Sequence, residues 1–214
     1  MASKVWKSGK GSDHVQISST RDIPLEHPGK PVAFKSVVKI PGPSPRELAL
    51  AFFNIETRSI WGDMVKGGRF LKPWMPMAMT SEESTANGFV KLESCDIHYL
   101  YDSPTKLASP RDSVIRVVMG TRSDNSVVCA YWTPEGSIAG ANPGETQVID
   151  GVKYLRCFIH LSGLLITSGE DKVAEFTVMD ITEPLGAVPS FLLKTQGGLY
   201  VKDYESLWRL MAKL

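Results

Sequence analysis

The sequence predicts a single α+β domain in which a curved antiparallel sheet is wrapped around a long C-terminal helix. Segments of alternating apolar and polar residues recur through most of the chain and are joined by short turns, which is typical of antiparallel strands. Two short helices are expected near the N-terminus, and the last segment returns to helical periodicity. No internal repeat or domain linker divides the 214 residues, so we treat them as one domain.

The N-terminal segment predicts a leader followed by two strands. Residues 1–13 are polar and rich in Gly, Ser and Lys, and we expect them to form a flexible leader to a domain of residues 14–214. The first predicted strand covers residues 14–18, and a second, β-branched strand covers residues 32–40. Several prolines between the two strands indicate a loop.

A helix start follows the second strand. Ser44 can act as the N-cap, Pro45 suits the first helical position, and Glu47 can complete a capping box. The apolar spacing that follows predicts a helix to about Asn54. A second short helix is predicted over residues 58–65.

The middle of the chain predicts most of the sheet. Residues 70–79 are rich in Met and Trp, but Pro73 and Pro76 exclude a regular helix, which leaves a strand or an apolar loop. Alternation and turn residues then predict further strands over residues 88–94, 96–101, 113–120, 127–133, 154–166 and 173–181.

The C-terminal segment predicts one long amphipathic helix. Its apolar residues fall near one face, and Pro189 suits its start. Gly197 and Gly198 lie inside this helix, where each costs about 1 kcal/mol, so a kink or break is expected. The alternative is a close approach of the backbone to a ligand, or a hinge for a moving helix.

Charge and cysteine content narrow the function classes. The chain has 24 Lys and Arg against 23 Asp and Glu, a net charge of +1 that argues against a general nucleic-acid binder. A local basic patch for anionic lipid headgroups stays open. The three cysteines have no metal-binding spacing, and we expect buried free thiols in a reducing compartment.

The hydropathy of the chain predicts where it works. No apolar run approaches the ~20 residues that a bilayer-spanning helix needs, and the N-terminus lacks the apolar core of a signal peptide. We therefore expect a cytoplasmic protein which, if it meets a membrane, does so from the water side.

Three short motifs make the prediction more specific. They are Arg-Ser-Ile-Trp at residues 58–61, Ser-Pro-Arg-Asp-Ser-Val at residues 109–114, and the segment 180–192 that leads into the last helix. In order and spacing they resemble the R-x-x-W-D, S-P-R-D-F/Y-V and D-x-x-G-x-I/V-P-x-W/F-L signatures of START (StAR-related lipid-transfer) domains. The resemblance covers about residues 30–214, although the family's usual N-terminal helix is not evident.

The resemblance implies the helix-grip fold, with a lipid cavity between the sheet and the C-terminal helix. An empty apolar cavity is destabilising, whereas burying a lipid tail contributes about 0.8 kcal/mol per CH₂. The cavity residues that it implies are Arg58, His98, Leu100, Ser113, Ile115, Val117, Trp132, Phe158, His160, Leu192 and Thr195. It implies no catalytic residue, metal or cofactor.

The motif residues favour a phospholipid over a sterol. Arg58 matches the family's inner arginine, which lies near the phosphate in phospholipid-binding members. Gly62 replaces the Asp of that motif, which leaves Arg58 for an anionic headgroup or for solvent. Sterol-binding members place an acid and an arginine on neighbouring strands, where this chain has His98 and Val117.

The resemblance to phosphatidylcholine-binding members is incomplete. Those members enclose the quaternary ammonium group in an aromatic cage. Phe158 keeps one aromatic residue of the cage, but Ser113 stands where a tyrosine is expected. Trp132, Tyr99 or Tyr101 could substitute for the missing ring.

We therefore predict non-enzymatic intracellular binding and transfer of one lipid, held in an internal tunnel that the C-terminal helix and neighbouring loops gate. The loop of residues 102–110 and the segment of residues 182–189 are predicted to flank the tunnel mouth. The expected partners are this lipid and, transiently, a membrane surface. No nucleic acid is expected, and the chain is predicted to be a monomer. A lipid-sensing regulatory module would use the same cavity and stays open as an alternative.

A helix-grip enzyme, such as a cyclase or hydrolase, is the remaining alternative. No known catalytic motif is present in the sequence. An acid/base pair would have to come from His98 or His160 together with Asp96 or Asp112. For Asp112 and its neighbour Arg111, however, the motif match favours a structural role, as an ion pair or a turn anchor at the start of a strand.

Overall fold

The computed structural model describes residues 7–20, 32–81, 88–103, 108–136, 142–169, 173–183 and 190–213, and for residues 7–10, 32 and 190–197 it describes the backbone alone. Within this part of the chain, twelve strands form one sheet: β1 (Lys7–Gly11), β2 (Val15–Thr20), β3 (Val32–Pro41), β4 (Val65–Pro76), β5 (Phe89–Tyr101), β6 (Arg111–Arg122), β7 (Val127–Trp132), β8 (Thr146–Ile149), β9 (Val152–Arg156), β10 (Phe158–Ile159), β11 (Ser162–Ser168) and β12 (Val173–Glu183). The helices that accompany the sheet are α1 (Pro45–Phe53), α2 (Ile55–Trp61) and α3 (Ser190–Met211).

The strands follow the order β1-β2-β3-β12-β11-β7-β6-β5-β4 across a curved, open sheet. Neighbours along this path pair antiparallel. A parallel pair joins β9 to the start of β6, where Leu155 lies opposite Arg111. α3 packs against β2 and β3 on the inner, concave face of the sheet. The predicted α+β helix-grip fold is confirmed, with the β6–β9 pair as a departure from an antiparallel sheet.

The first two helices share one residue as their boundary. Ser44 and Glu47 form the predicted capping box, with the Ser44 amide donating to Glu47 Oε2 at 2.9 Å. Asn54 ends α1 and caps α2, because its Oδ1 accepts from the amide of Thr57 at 2.9 Å. α2 therefore begins three residues earlier than the predicted start at residue 58, and it ends at Trp61.

The edge strands differ most from the sequence prediction. Residues 7–11, which we expected to lie in a flexible leader, form β1 and pair with β2, whereas residues 1–6 lie outside the described part. Polar edge strands are held by backbone hydrogen bonds, so the sequence carries no alternation that would reveal them. At the other edge, β4 accommodates Pro73 and Pro76 and pairs with β5 through several register shifts, because an edge strand tolerates missing donors.

Three interior predictions change in detail. The two strands predicted over residues 88–101 form the continuous β5. The strand predicted over residues 154–166 is divided into β9, β10 and β11. α3 continues without a break through both glycines, and a Cβ atom added at Gly198 would meet no other atom within 4 Å. Neither a break nor a close backbone approach is therefore found at Gly198.

Strand directions give the sheet two distinct ends. We call the end where Tyr101 pairs with Arg111 the lower end; β12 also finishes there, at Glu183. α3 starts after β12 and runs to the upper end, where the backbone of Met211 lies near Gly42. Leu207 and Met211, in the last turns of α3, are buried in the main core cluster. The upper end is thus filled by side chains.

Gly68 should be needed for the packing of β4 on β5. A Cβ atom at Gly68 would overlap the carbonyl oxygen of His98, whereas one at Gly67 would meet no atom within 4 Å. Both residues have positive φ angles, 155° at Gly67 and 157° at Gly68. We expect Gly68→Ala to lower the free energy of unfolding by about 1–3 kcal/mol more than Gly67→Ala, because only the first substitution adds a clash. Urea denaturation measures both, and equal effects would contradict the register of this pair.

Candidate functional site

A cavity of about 230 Å³ lies at the lower end, between the sheet, α1, α2 and α3. The apolar residues that line it are Phe52, Phe53, Met64, Val65, Ala108, Ile115, Ile159 and Leu199. The tyrosines that line it are Tyr99, Tyr101, Tyr131, Tyr200 and Tyr204. The other polar and charged lining residues are Arg58, Ser109, Arg111, Cys157, Asp180, Thr182 and Asp203. α3 therefore covers a hollow at this end and a filled core at the other.

The register of β5 and β6 decides which side chains reach the cavity. Tyr99 lies opposite Ser113 and Tyr101 lies opposite Arg111, and these pairs face inward. Because successive side chains point to opposite faces, His98 and Leu100 point to the outer face. We expected both in the cavity, and this placement corrects that expectation. The cavity face of this strand had been assigned by counting residues from a motif without allowing gaps, and the count was wrong by one position. A shift of one residue exchanges the two faces of a strand.

Two of the predicted cavity residues line the cavity, namely Arg58 and Ile115. Ser113 and Val117 share the inner face with Ile115 but take other positions. Ser113 is fully buried, with its Oγ 3.2 Å from the hydroxyl of Tyr101. Val117 belongs to the filled core.

The remaining predicted residues lie beside the cavity or outside the described side chains. Trp132 alternates with the cavity-lining Tyr131 on β7 and is half-buried on the other face. Phe158 and His160 flank the cavity-lining Ile159, and their rings contact each other edge to face at 4.8 Å. Because Ile159 points into the cavity, its two neighbours in the chain point to the other face, and this is why they do not line the cavity. Leu192 and Thr195 lie on α3 among residues whose side chains are not described, so their role stays a prediction.

Arg58 brings a positive charge into the cavity from α2. Its guanidinium carbon lies 4.0 Å from the ring centroid of Trp61 and 4.5 Å from that of Phe52. Its Nη1 is buried and has no hydrogen-bond partner among the described residues. Burial opposes the charge, but the surrounding tyrosine hydroxyls and the Asp203 carboxylate outweigh it and raise the pKa of Arg58. The guanidinium is therefore cationic, and no described residue uses the hydrogen-bonding capacity of its Nη1.

Two aspartates face the cavity from other elements. Asp203 of α3 accepts a hydrogen bond at Oδ1 from the amide of Asp63 at 3.1 Å, and burial raises the pKa of Asp203. Asp180 of β12 accepts at Oδ2 from the hydroxyl of Tyr200 at 2.9 Å and at Oδ1 from Ser162 Oγ at 3.2 Å. Neither aspartate is predicted from the sequence to line the cavity, and the proximity of Asp203 to Arg58 arises only when α3 packs on the sheet.

The tyrosines give the cavity a mixed character. Burial raises the pKa of each of the five that line it, so their hydroxyl groups stay protonated at physiological pH. Tyr99 donates to the carbonyl oxygen of Phe53 at 2.7 Å, which fixes its ring against α1. The cavity thus offers rings for apolar contact and neutral hydroxyl groups for hydrogen bonds.

The three thiols are free and buried, as predicted. Burial raises the pKa of Cys95 and of Cys157 to about 12, and it raises the pKa of Cys129 further above the usual range. Protonated thiols of this kind are weak nucleophiles. Cys157 lines the cavity, where it acts as a small apolar wall.

A second charged cluster lies on the outer face of β5 and β6. Asp112 Oδ2 accepts from His98 Nε2 at 2.8 Å and from Arg156 Nη2 at 2.7 Å, and it also contacts Gln147 Nε2. Asp112 thus has the structural role that we predicted, with Arg156 as its ion-pair partner. Arg111 lines the cavity and donates to the Ser109 carbonyl oxygen. The His98–Asp112 pair lies across the sheet from the cavity, so it cannot serve as an acid/base pair for a molecule held there.

The described part of the chain offers little for other kinds of site. No three His, Cys, Asp or Glu side chains gather there in a way that could hold a metal ion. None of its helices combines the length and the hydropathy that crossing a bilayer requires.

Asp112→Asn should destabilise the fold in a pH-dependent way. At pH 7 the neutral amide would remove the charge of the buried ion-pair partner of Arg156, and we expect a loss of about 3 kcal/mol. Burial opposes ionisation of Asp112, but hydrogen bonds from His98 and Arg156 outweigh it and lower its pKa below 3.8. Its contribution is therefore complete above about pH 4 and is lost as pH falls through the lowered pKa, so the variant and the wild type converge at lower pH.

Urea denaturation at pH 7, 5 and 3 measures this difference. Asp124→Asn is the matched control, because Asp124 lies in an exposed turn and an amide oxygen can still accept from the Ser126 amide. We expect the control to unfold like the wild type. An Asp112→Asn protein of unchanged stability at pH 7 would show that the cluster contributes nothing.

Comparison with solved structures identifies the fold. No family model and no curated protein matches the chain by sequence. The structure of human StAR-related lipid transfer protein 5 aligns with 100% of this chain over 88% of its own chain, with 17% sequence identity and a TM-score of 0.70. The lipid transfer and protein localization domain of human StarD13 (DLC2) aligns with 99% of this chain over 91% of its own chain, with 13% sequence identity and a TM-score of 0.69. Human STARD10 aligns with 97% of this chain over 73% of its own chain, with 15% sequence identity and a TM-score of 0.68. Over nearly its whole length, the chain therefore has the fold of the StAR-related lipid transfer (START) domains.

Proposed function

We propose that this protein binds one phospholipid in its lower-end cavity and carries it between membranes without chemical change. Solved proteins of the same fold are described as lipid transfer proteins. The observation that carries the proposal is the buried Nη1 of Arg58, which has no hydrogen-bond partner among the described residues, beside a cavity lined mainly by aromatic and aliphatic side chains. Such a site suits a molecule with one anionic group and long apolar tails.

The chemistry of Arg58 favours a phosphate over an uncharged headgroup. A buried donor nitrogen without an acceptor is unfavourable, and phosphate oxygens accept short, charge-assisted hydrogen bonds from a guanidinium. A sterol hydroxyl could accept one hydrogen bond but would not compensate the charge. Stacking on Trp61 and Phe52 holds the guanidinium in place, so little conformational freedom is lost when a ligand binds.

Other residues that line the cavity suit the cationic part of a zwitterionic headgroup. Asp180 and Asp203 contribute carboxylates, and tyrosine rings can hold a quaternary ammonium by cation–π attraction. Tyr99 and Tyr101, which the sequence offered as substitutes for the incomplete aromatic cage, both line the cavity. A choline or ethanolamine phosphate headgroup would thus find a partner in the cavity for each of its two charges.

Entry of a lipid requires the cavity to widen. Its volume of about 230 Å³ is below the range of roughly 300–1,000 Å³ that is usual for small-molecule pockets. α3 supplies part of the wall through Leu199, Tyr200, Asp203 and Tyr204. Next to this wall, Asp63 binds both Lys202 and Asp203 and joins α3 to the turn after α2. We propose that α3 moves outward when this connection opens.

Arg58→Gln should weaken phospholipid extraction selectively. We expect uptake of phosphatidylcholine from vesicles to fall about tenfold or more, the loss typical of a hydrogen bond to a charged group. Uptake of diacylglycerol with the same acyl chains should be unchanged, because it has no phosphate. Fluorescent lipid analogues measure both. Equal losses for the two lipids would contradict a phosphate site at Arg58, and the diacylglycerol result also reports whether the cavity is intact.

Linking α3 to the turn after α2 should block transfer. We expect the double substitution Asp63→Cys and Lys202→Cys, once oxidised, to transfer phosphatidylcholine at least tenfold more slowly, because a closed cavity admits nothing. Reduction should restore the wild-type rate. The buried native thiols, with their raised pKa values, should not compete for the disulfide.

Each single cysteine variant, treated in the same way, serves as the control for the lost ion pair. Intact-mass measurement confirms that the disulfide has formed. A cross-linked protein that transfers lipid at the wild-type rate would show that α3 is not the moving element.

A further inference from the structure

The β8–β9 hairpin presents an apolar tip to solvent. Val148 is 69% exposed and Val152 is 41% exposed. Asp150 and Gly151 form the tight turn, with φ angles of 49° and 79°. Val148 pairs with Lys153, and Ile149 pairs with Val152. The two valines therefore lie on opposite sides of the hairpin, so that each side of the tip presents one exposed apolar side chain, with Lys153 beside Val148.

The register of β9 shows that this tip extends beyond the lower end. β9 runs parallel to β6, with Leu155 opposite Arg111, which lines the cavity. Val152 precedes Leu155 by three residues, which places it roughly 10 Å beyond the start of β6 at 3.3 Å per residue. The chain after Tyr101 also leaves the sheet at this end. Among the described residues, the hairpin tip is thus an apolar projection at the end of the sheet that holds the cavity.

We propose that the tip formed by Val148 and Val152 inserts into the lipid bilayer from which the protein takes its ligand. The inference rests on the proposed function, because it assigns the membrane contact of that same cavity. A narrow projection with apolar residues on both sides would leave one side uncovered against a flat protein surface. A bilayer surrounds both sides, and its apolar interior begins close below the headgroups.

The charges near the tip favour apolar insertion over electrostatic attraction. Asp150 and Lys153 offset each other on the hairpin, and Lys66 and Asp102 form an ion pair at 3.0 Å at the same end of the sheet. The whole chain has a net charge of only +1. Binding should therefore not require anionic lipid, and it should change little with salt, in contrast to a polybasic surface.

The test uses the full chain and sucrose-loaded phosphatidylcholine vesicles. We expect Val148→Ser together with Val152→Ser to lower the fraction that sediments with vesicles about tenfold, since two apolar side chains lose their burial. The matched control is Val90→Ser together with Met75→Ser. These residues are 59% and 55% exposed, but they lie towards the upper end, on β5 and β4. The control should sediment like the wild type at 0.1 M and at 0.5 M salt.

A second measurement separates this inference from the proposed function. Short-chain phosphatidylcholine, supplied as monomers, should bind the Val148→Ser, Val152→Ser protein as tightly as the wild type, because the cavity is unchanged. If the wild type binds no monomers, the proposed function fails. If monomers bind but the double variant sediments like the wild type, the hairpin is not the docking site. Sedimentation that needs phosphatidylserine and disappears at 0.5 M salt would overturn insertion in favour of a charged surface.

Discussion

The packing of α3 on the concave face of the sheet governs both the stability of the domain and the shape of its site. Its last turns bury Leu207 and Met211 in the core. Tyr204 joins them to the cavity region, with ring centroids 5.5 Å from Phe176 and 6.3 Å from Trp61. Because α3 is held firmly at its upper end, its lower part can border an unfilled space without loss of the fold. The same helix therefore stabilises the domain and forms a wall of the site.

The cavity stores an unfavourable arrangement that a ligand would relieve. Arg58 keeps a buried donor nitrogen without a partner among the described residues, and burial raises the pKa of Asp203 on the facing helix. Groups of this kind lower the stability of the empty protein. A ligand that binds only the folded state and satisfies them stabilises it by mass action. In this way stability and ligand binding depend on the same few side chains.

The two faces of the sheet separate structural charges from binding charges. On the outer face, Asp112 Oδ2 accepts from His98 and Arg156, which are buried with it, so this carboxylate is held in a structural ion pair. On the inner face, Arg58 has capacity left for a ligand. Of these charged side chains, only Arg58 lines the cavity. The surface of the lower end has a separate proposed role, in which the β8–β9 hairpin would bring the cavity to the bilayer that supplies the lipid.

Patterns in the sequence were sufficient to predict the α+β class, the capping box at Ser44 and Glu47, the long C-terminal helix and the motif that places Arg58 in the cavity. These features are local, because caps and periodicity depend on residues a few positions apart. The inward-facing set of residues became known only from the folded chain, since a shift of one position exchanges Tyr99 for His98. The same holds for partners that lie far apart in the chain, such as Arg156 for Asp112 and Asp203 near Arg58. Their proximity arises from the packing of elements, which no local pattern in the chain encodes.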